Sequence, residues 1–248
     1  NIHTIRPLRN NLQTQSTQAL ILANGQRSNI YRSYAPPCYN SPILTKQEAL
    51  MKIVCVYCGS SDKMRLSYLQ AAYDMGQCIA ERGLILAYGA GCTGMMGAVA
   101  DGALQAGGEV IGVIPEMFAN PTLMHNGLSR LEIVDTMHTR KARLVDISDA
   151  FIALPGGYGT FEELFEVLTW AQIGLHRKPV GLLNAEHYFD PLLAAIDHAR
   201  VEGFMYAEHR GLFTHAAQPD ALLEALESYQ PPANLDLWLT RAHLPENE

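Results

Sequence analysis

From Ile53 onward, short apolar runs alternate with longer stretches of helical period. The runs are Ile53–Tyr57, Leu84–Tyr88, Val110–Ile114, Leu131–Val134, Ala150–Leu154 and Val180–Leu183. Each is bounded by Gly, Pro or polar residues, as strands covered on both faces are. Amphipathic stretches fill most of the gaps: Ser67–Arg82, Gly94–Ala106, His138–Ile147, Thr160–Ile173 and Asp190–Val201. Strand and helix in alternation predict an α/β fold, a doubly wound parallel sheet forming a single domain. Such sheets bind ligands at the carboxyl ends of their strands, so chemistry is sought just after each run.

The pattern sets the expected domain at residues 51–229, with 230–248 as a C-terminal tail. Residues 1–50 are rich in Asn, Gln, Ser, Thr and Pro and show neither period, so they read as a disordered or leader-like extension. They carry Arg6, Arg9, Arg27, Arg32 and Lys46 against Glu48, a net +4, which leaves −11 on the rest of a chain whose total is −7. The segment is basic like a transit peptide, but no Arg-bearing amphipathic helix stands out in it.

Hydrophobic residues make up 48% and charged residues 17% of the chain, which suits a packed core and excludes a disordered or fibrous protein. No apolar run approaches the ~20 residues that span a bilayer, so no membrane partner is expected. An acidic domain without basic clusters is a poor partner for nucleic acid, and any phosphate it binds should be small and held by local geometry. Cys55 and Cys58 form one C-x-x-C without a second pair. With Cys38, Cys78 and Cys92 they read as reduced thiols, and the expected location is the cytoplasm. The nine histidines contain no H-x-H or H-x-x-x-H pair, so no metal is expected.

Three turns carry candidate chemistry. Cys58-Gly59-Ser60-Ser61 follows the first run and Gly89-Ala90-Gly91-Cys92-Thr93-Gly94-Met95-Met96-Gly97 the second. Pro155-Gly156-Gly157-Tyr158-Gly159-Thr160 follows the fifth and opens into a helix. Glycines between a strand end and a helix start let backbone N–H groups approach an anion, and the helix terminus adds partial positive charge. Two such turns on one sheet point to a phosphorylated ligand. G-x-G-x-x-G after the first run, G-x-x-x-x-G-K-[ST] and G-x-S-x-G are all absent. That argues against a nicotinamide-binding fold of the usual kind, a P-loop protein and a serine hydrolase.

Thr160-Phe161-Glu162-Glu163 has two readings. Thr160 and Glu163 can form a capping box, or Glu163 can face the ligand from the first turn. Arg140 and Lys141 are either a solvated surface pair or, for Arg140, a fixed cation with planar donors. If Ala90 must take positive φ its methyl strains the second turn; the expectation is that the methyl is tolerated.

Pro155-Gly156-Gly157-Tyr158-Gly159-Thr160-Phe161-Glu162-Glu163 resembles the P-G-G-x-G-T-x-x-E signature of the Lonely Guy phosphoribohydrolases, once labelled lysine decarboxylases. Met137-His138-Thr139-Arg140-Lys141 resembles their M-H-x-R-K element, and Cys58–Ser61 and Gly94–Gly97 resemble two further turns. The resemblance runs from Met51 to about Glu227. It implies a Rossmann-like fold, a homodimer, no cofactor, and hydrolysis of an N6-modified adenosine 5′-monophosphate to free base and ribose 5-phosphate. It places Arg140 and Glu163 as catalytic. Ser60, Gly94, Met95, Lys141, Gly156, Gly157, Gly159 and Thr160 become candidates for holding the nucleoside monophosphate. Cleavage of a ribosyl C–N bond passes through an oxocarbenium-like state, which a carboxylate stabilises while orienting the attacking water.

Two other classes stand beside this. A decarboxylase needs a Schiff-base lysine for pyridoxal phosphate, and after Met51 only Lys52, Lys63, Lys141 and Lys178 are available. A nucleotide or molybdenum-cofactor carrier of the same fold would not turn over, and has no need of an Arg140/Glu163 pair. The preferred base depends on loops such as Met117–Arg130, which the pattern does not fold.

Overall fold

Five of the six runs become strands whose residues of alternating direction are buried on both sides; the fourth forms an edge strand with no buried residue. In the computed structural model, which describes residues 51–233 and 235, seven parallel strands form one sheet. They are β1 (Ile53–Tyr57), β2 (Ile85–Tyr88), β3 (Val110–Pro115), β4 (Arg130–Val134), β5 (Ala150–Ala153), β6 (Val180–Leu183) and β7 (Thr214–Ala216). Helices α1 (Leu66–Glu81), α2 (Gly94–Gln105), α3 (Met137–Ile147), α4 (Tyr158–Gln172), α5 (Asp190–Val201) and α6 (Pro219–Glu227) cover it. The expected extension at residues 1–50 lies outside the described residues. Leu235, expected in the tail, is buried with the core, so the domain reaches at least that far.

Two apolar clusters lie on the two faces. Val54, Val56, Leu86, Tyr88 and Ile152 pack with residues of α1, α2 and α6. Cys55, Tyr57, Ala87, Phe151 and Leu182 alternate with them and pack with residues of α3, α4 and α5. No described helix is long and apolar enough to cross a membrane.

Strand order is β4-β3-β2-β1-β5-β6-β7. The chain therefore winds outward from β1 to β4, then returns to β1's other side as β5. This switch point between β1 and β5 is where a parallel sheet opens a crevice at its carboxyl edge. The turns after β1 and β5 meet there: the Gly59 amide donates to the Pro155 carbonyl at 3.0 Å.

The edges of the sheet hold what the pattern did not show. β7 has three residues, none of them buried, and α6 follows it. No α-helix joins β3 to β4; residues between them turn through a short 3-10 segment, Glu116–Phe118, and an Asn120 side chain that accepts from the amides of Thr122 and Leu123. Ala90 does adopt the left-handed region, at φ 63°. Its methyl is accommodated because Gly112 on β3 has no side chain: a Cβ there would lie 2.7 Å from the Ala90 Cβ.

Candidate active site

A cleft of about 500 Å³ opens at the switch point, a size suited to a small ligand. Ser60, Met95, Arg140, Gly156, Gly157, Gly159, Thr160 and Glu163, all singled out in the sequence, line it. Gly94 and Lys141 do not. The carbonyl of Ser61 lies 2.5 Å from where a Gly94 Cβ would stand, so this glycine, at φ 58°, lets α2 press against the β1–α1 turn. That contact is fixed by the Met95 amide donating to the Gly59 carbonyl at 2.9 Å and by the Thr93 hydroxyl donating to the Ser60 carbonyl at 2.8 Å.

Lys141 neighbours Arg140 on α3 but points to another side, as consecutive helical residues must, about 100° apart. Its ammonium is held by Glu162 and by Glu166, the latter at 2.9 Å, and ties α3 to α4.

Thr160 and Glu163 do not form a capping box. α4 begins two residues earlier than the pattern suggests, with Gly157 as its N-cap and no side-chain cap. Glu163 therefore sits in the second turn rather than the first. Thr160 is buried at 3% exposure, against Gly156. The carboxylate of Glu163 is left free for the cleft.

Its partner is Arg140. The Thr136 hydroxyl caps α3 by accepting from the Thr139 amide at 3.1 Å, which starts the helix where Arg140 can reach inward. Arg140 Nη1 lies 3.2 Å from Glu163 Oε1, with the two side chains 13% and 11% exposed. Its Nε donates to the Val113 carbonyl at 3.2 Å. The guanidinium crosses the end of β2 because residue 89 is glycine: a Cβ there would collide with Nη2. The middle glycine turn thus makes room for the cation rather than presenting an open cradle.

Burial dominates the titration of Glu163 and raises its pKa to about 7. Arg140 and Lys141 pull it down, while Glu162 and Glu166 push it up. A carboxyl poised near neutrality is suited to exchanging a proton with water. Burial likewise pushes the thiol of Cys58, which also lines the cleft, well above its usual range, which favours its protonated form.

The start of α4 lines the same cleft, and its first amides have no intrahelical acceptor. Among the described glycines only Gly157 and Gly159 combine an ordinary φ with open space, no protein atom standing within 4 Å of where a Cβ would be. Every other described glycine has either a positive φ or a close neighbour that excludes or crowds a side chain. Nothing in the protein requires these two to lack side chains, and without them the backbone at the start of α4 is left open to the cleft.

Met96 and Met137 belong to the sequence motifs without being named as site residues, while Met64, Tyr68 and Tyr188 were not singled out from sequence. Met64, Met96 and Met137 join Met95, and Tyr68 and Tyr188 meet edge to face at 5.8 Å. Together they give the cleft an adaptable apolar side. Tyr188 follows β6 by a few residues, where a search beyond each apolar run would reach it.

Fold and site define an α/β protein with a switch-point cleft, lined by backbone amides and by a buried Arg–Glu pair. Residues 96–226 match the family model described as "Possible lysine decarboxylase". The cytokinin riboside 5′-monophosphate phosphoribohydrolase LOG of Oryza sativa subsp. japonica is 45% identical over 184 residues, covering 74% of this chain and 76% of that one. An Arabidopsis thaliana protein named for the same activity is 45% identical, covering 74% of this chain and 86% of its own. Among solved structures, the molybdenum cofactor binding protein of Rippkaea orientalis superposes with a TM-score of 0.56 at 26% identity, over 72% of this chain and 96% of that chain. The chain belongs to the LOG family, the one that this family model describes. The decarboxylase wording does not fit the site: Lys52, Lys63, Lys141 and Lys178 all stand outside the cleft lining, and Lys178 Nζ donates to the Val145 carbonyl at 2.7 Å.

The open glycines give a test in which stability and function move in opposite directions. Gly159→Ala is expected to stabilise α4 by up to about 1 kcal/mol, since alanine is the better helix former and has room. If a ligand approaches that backbone, the same change weakens ligand binding at least ~10-fold. Thermal melts and calorimetric titration read both; a variant that is more stable and binds unchanged shows that no ligand approaches the backbone at Gly159.

Proposed function

We propose that this protein hydrolyses the N-glycosidic bond of N6-modified adenosine 5′-monophosphates, releasing the free base, a cytokinin, and ribose 5-phosphate. The observation that carries the reading is the buried Arg140–Glu163 pair in one cleft with the open glycine positions at the start of α4. The activity for which the relatives are named, at 45% identity, supports it.

In this reading the 5′-phosphate is held by the amides at Gly157, Tyr158, Gly159 and Thr160 and by the Ser60 side of the β1–α1 turn. Binding there places the ribose between that wall and Glu163, and the base along the methionine and tyrosine side. As the C1′–N bond breaks, its electron pair leaves with the base and positive charge develops on the ribose. Ionised Glu163 faces that charge and takes a proton from the attacking water, whose oxygen forms the new bond to C1′. That proton passes on to the nitrogen of the departing base, which leaves neutral and returns the carboxylate. Arg140 holds the carboxylate in place and offers its remaining donors to the ribose or the leaving base. Binding energy at the phosphate, distant from the bond, thereby orients the sugar.

A carrier of the same fold needs no desolvated carboxylate beside its anion wall, and a buried charge pair is costly to keep without a use. The homodimer implied by family resemblance has a candidate surface. α4 sends Leu164 and Leu168 into the core but leaves Phe165 and Ile173 at 43% and 38% exposure, with Leu175 beyond it at 66%. We place a twofold contact there. Light scattering at micromolar concentration is expected to report twice the chain mass, and a monomer would exclude it.

Glu163→Gln keeps shape and removes charge. The variant is expected to fold with its melting temperature little changed and to lose at least ~10²-fold in kcat. Base release from isopentenyl-AMP, followed by chromatography, decides it; a Gln variant with most of the wild-type rate returns Glu163 to a structural role.

The raised proton affinity sets a pH profile. Below about 7 Glu163 is protonated and cannot accept a proton from water, so kcat/KM should rise with pH through about 7 and level off above it. The stability of the free enzyme runs the other way. The folded state keeps this proton to about 7 while the unfolded chain releases it near the ordinary value of 4.5, so stability falls as pH rises across that window. A limb at or below about 6, where the substrate's own phosphate titrates, would assign the profile to another group.

A further inference from the structure

The turn between β6 and α5 holds two consecutive L residues in the left-handed region, Glu186 at φ 52° and His187 at φ 59°. L residues avoid this conformation, and a turn keeps it only when its surroundings over-determine it. Both side chains are exposed, so they bring no packing in return. The turn is clasped from inside by Asn184, which is buried. Its Oδ1 accepts from the Phe189 amide at 2.7 Å, its Nδ2 donates to Asp190 Oδ1 at 2.7 Å, and its own amide donates to the Ala216 carbonyl at 2.8 Å. What the clasped turn delivers is Tyr188.

Tyr188 stands edge-on to Phe189 at 5.1 Å and to Tyr68 of α1 at 5.8 Å, and its hydroxyl donates to the carbonyl of Gly156. That carbonyl belongs to the peptide unit whose N–H is Gly157's. In a planar trans peptide the two point in opposite directions, so anchoring one aims the other. Gly156 packs against Thr160 and the Gly59 backbone, but among the described residues the Gly156 carbonyl has no other hydrogen-bond partner and the Gly157 amide has none. Neither residue has a side chain, and a Gly157 side chain would meet no protein atom within 4 Å.

We propose that Tyr188 is a positioning residue for the anion-binding wall: the strained, Asn184-clasped turn holds its hydroxyl on the Gly156 carbonyl and so aims the Gly157 amide and the start of α4 at the ligand phosphate. The inference rests on the reading of α4's start as the phosphate site. Its structural half, that Tyr188 orders the Gly156–Thr160 backbone, stands independently of which ligand arrives.

The test is Tyr188→Phe in the full chain, which keeps the ring against Tyr68 and Phe189 and removes only the hydroxyl. In ligand-free protein, amide hydrogen exchange over residues 155–161 is expected to quicken about 3–10-fold, the scale of one lost hydrogen bond, with the rest of α4 unchanged. The affinity for ribose 5-phosphate should weaken by a similar factor, and the loss in kcat/KM should fall on KM rather than kcat. If exchange in that segment stays within about twofold of wild type, Tyr188 is packing only and the proposal is overturned. Faster exchange with unchanged ribose 5-phosphate affinity overturns the link from this turn to phosphate. A wild-type protein that binds no ribose 5-phosphate refutes the phosphate reading, and with it the ligand half of the proposal, while the exchange data still decide the role of the hydroxyl.

Discussion

The withdrawal of the Glu163 carboxylate from water is the constraint around which the cleft is arranged. A carboxylate buried at this depth is costly, and one arginine offsets only part of that cost, which is why its proton affinity stays high despite Arg140. Keeping the pair requires that Arg140 lie across the end of β2, and this in turn requires glycine at residue 89. The next residue, Ala90, then carries a left-handed backbone that costs an L residue about 1–2 kcal/mol. Its methyl fits only because β3 has Gly112 opposite. The charged pair thus fixes side-chain size at residue 89 in the turn after β2, and the adjoining left-handed Ala90 fixes it at Gly112 on β3.

Lys141 belongs to the same arrangement, though not as part of the cleft lining. Glu162 and Glu166 lie on α4 on either side of Glu163 and both raise its proton affinity. Their charges are met by the Lys141 ammonium, whose own affinity for its proton they raise against the effect of burial. Two negative charges beside Glu163 are thereby partly neutralised without placing a second cation in the cleft. α3 contributes two adjacent residues to two different tasks, Arg140 to the cleft and Lys141 to the α3–α4 joint.

Five of the six strands read from the sequence, β1, β2, β3, β5 and β6, were legible as short apolar runs bounded by turn residues and buried on both faces. β4, at the sheet edge, has no buried residue and showed only as the apolar positions of Leu131–Val134. β7 was not legible, since three partly exposed residues carry no period. The start of α4 lies earlier than the pattern suggests because Thr160 and Glu163 stand at the spacing of a capping box, and a glycine N-cap leaves no side-chain signal. The motifs bring Ser60, Met95, Arg140, Gly156, Gly157, Gly159, Thr160 and Glu163 to one cleft, while Lys141 and Gly94 stand outside its lining, since sequence spacing does not say which way a side chain faces. Met64, Tyr68 and Tyr188 carry no motif, and their place in the cleft depends on how the segments after β1 and β6 return over the sheet edge.

Desolvation of Glu163 also answers why a carboxylate so expensive in the free protein is useful under the proposed reaction. A phosphate dianion arriving at the start of α4 adds negative charge to the cleft and makes the ionised carboxylate costlier still in the ground state. When the C1′–N bond stretches, the sugar becomes cationic and the sign of that interaction reverses. The low local dielectric that penalised the lone carboxylate now strengthens its attraction to the oxocarbenium. The gain is realised at the transition state and not in the substrate complex, which is the condition for it to raise kcat rather than merely tighten binding. Surface exposure of the same carboxylate would remove both the ground-state cost and the catalytic gain. The buried position of Glu163, held by Arg140 and flanked by carboxylates, is therefore the arrangement the proposed reaction requires.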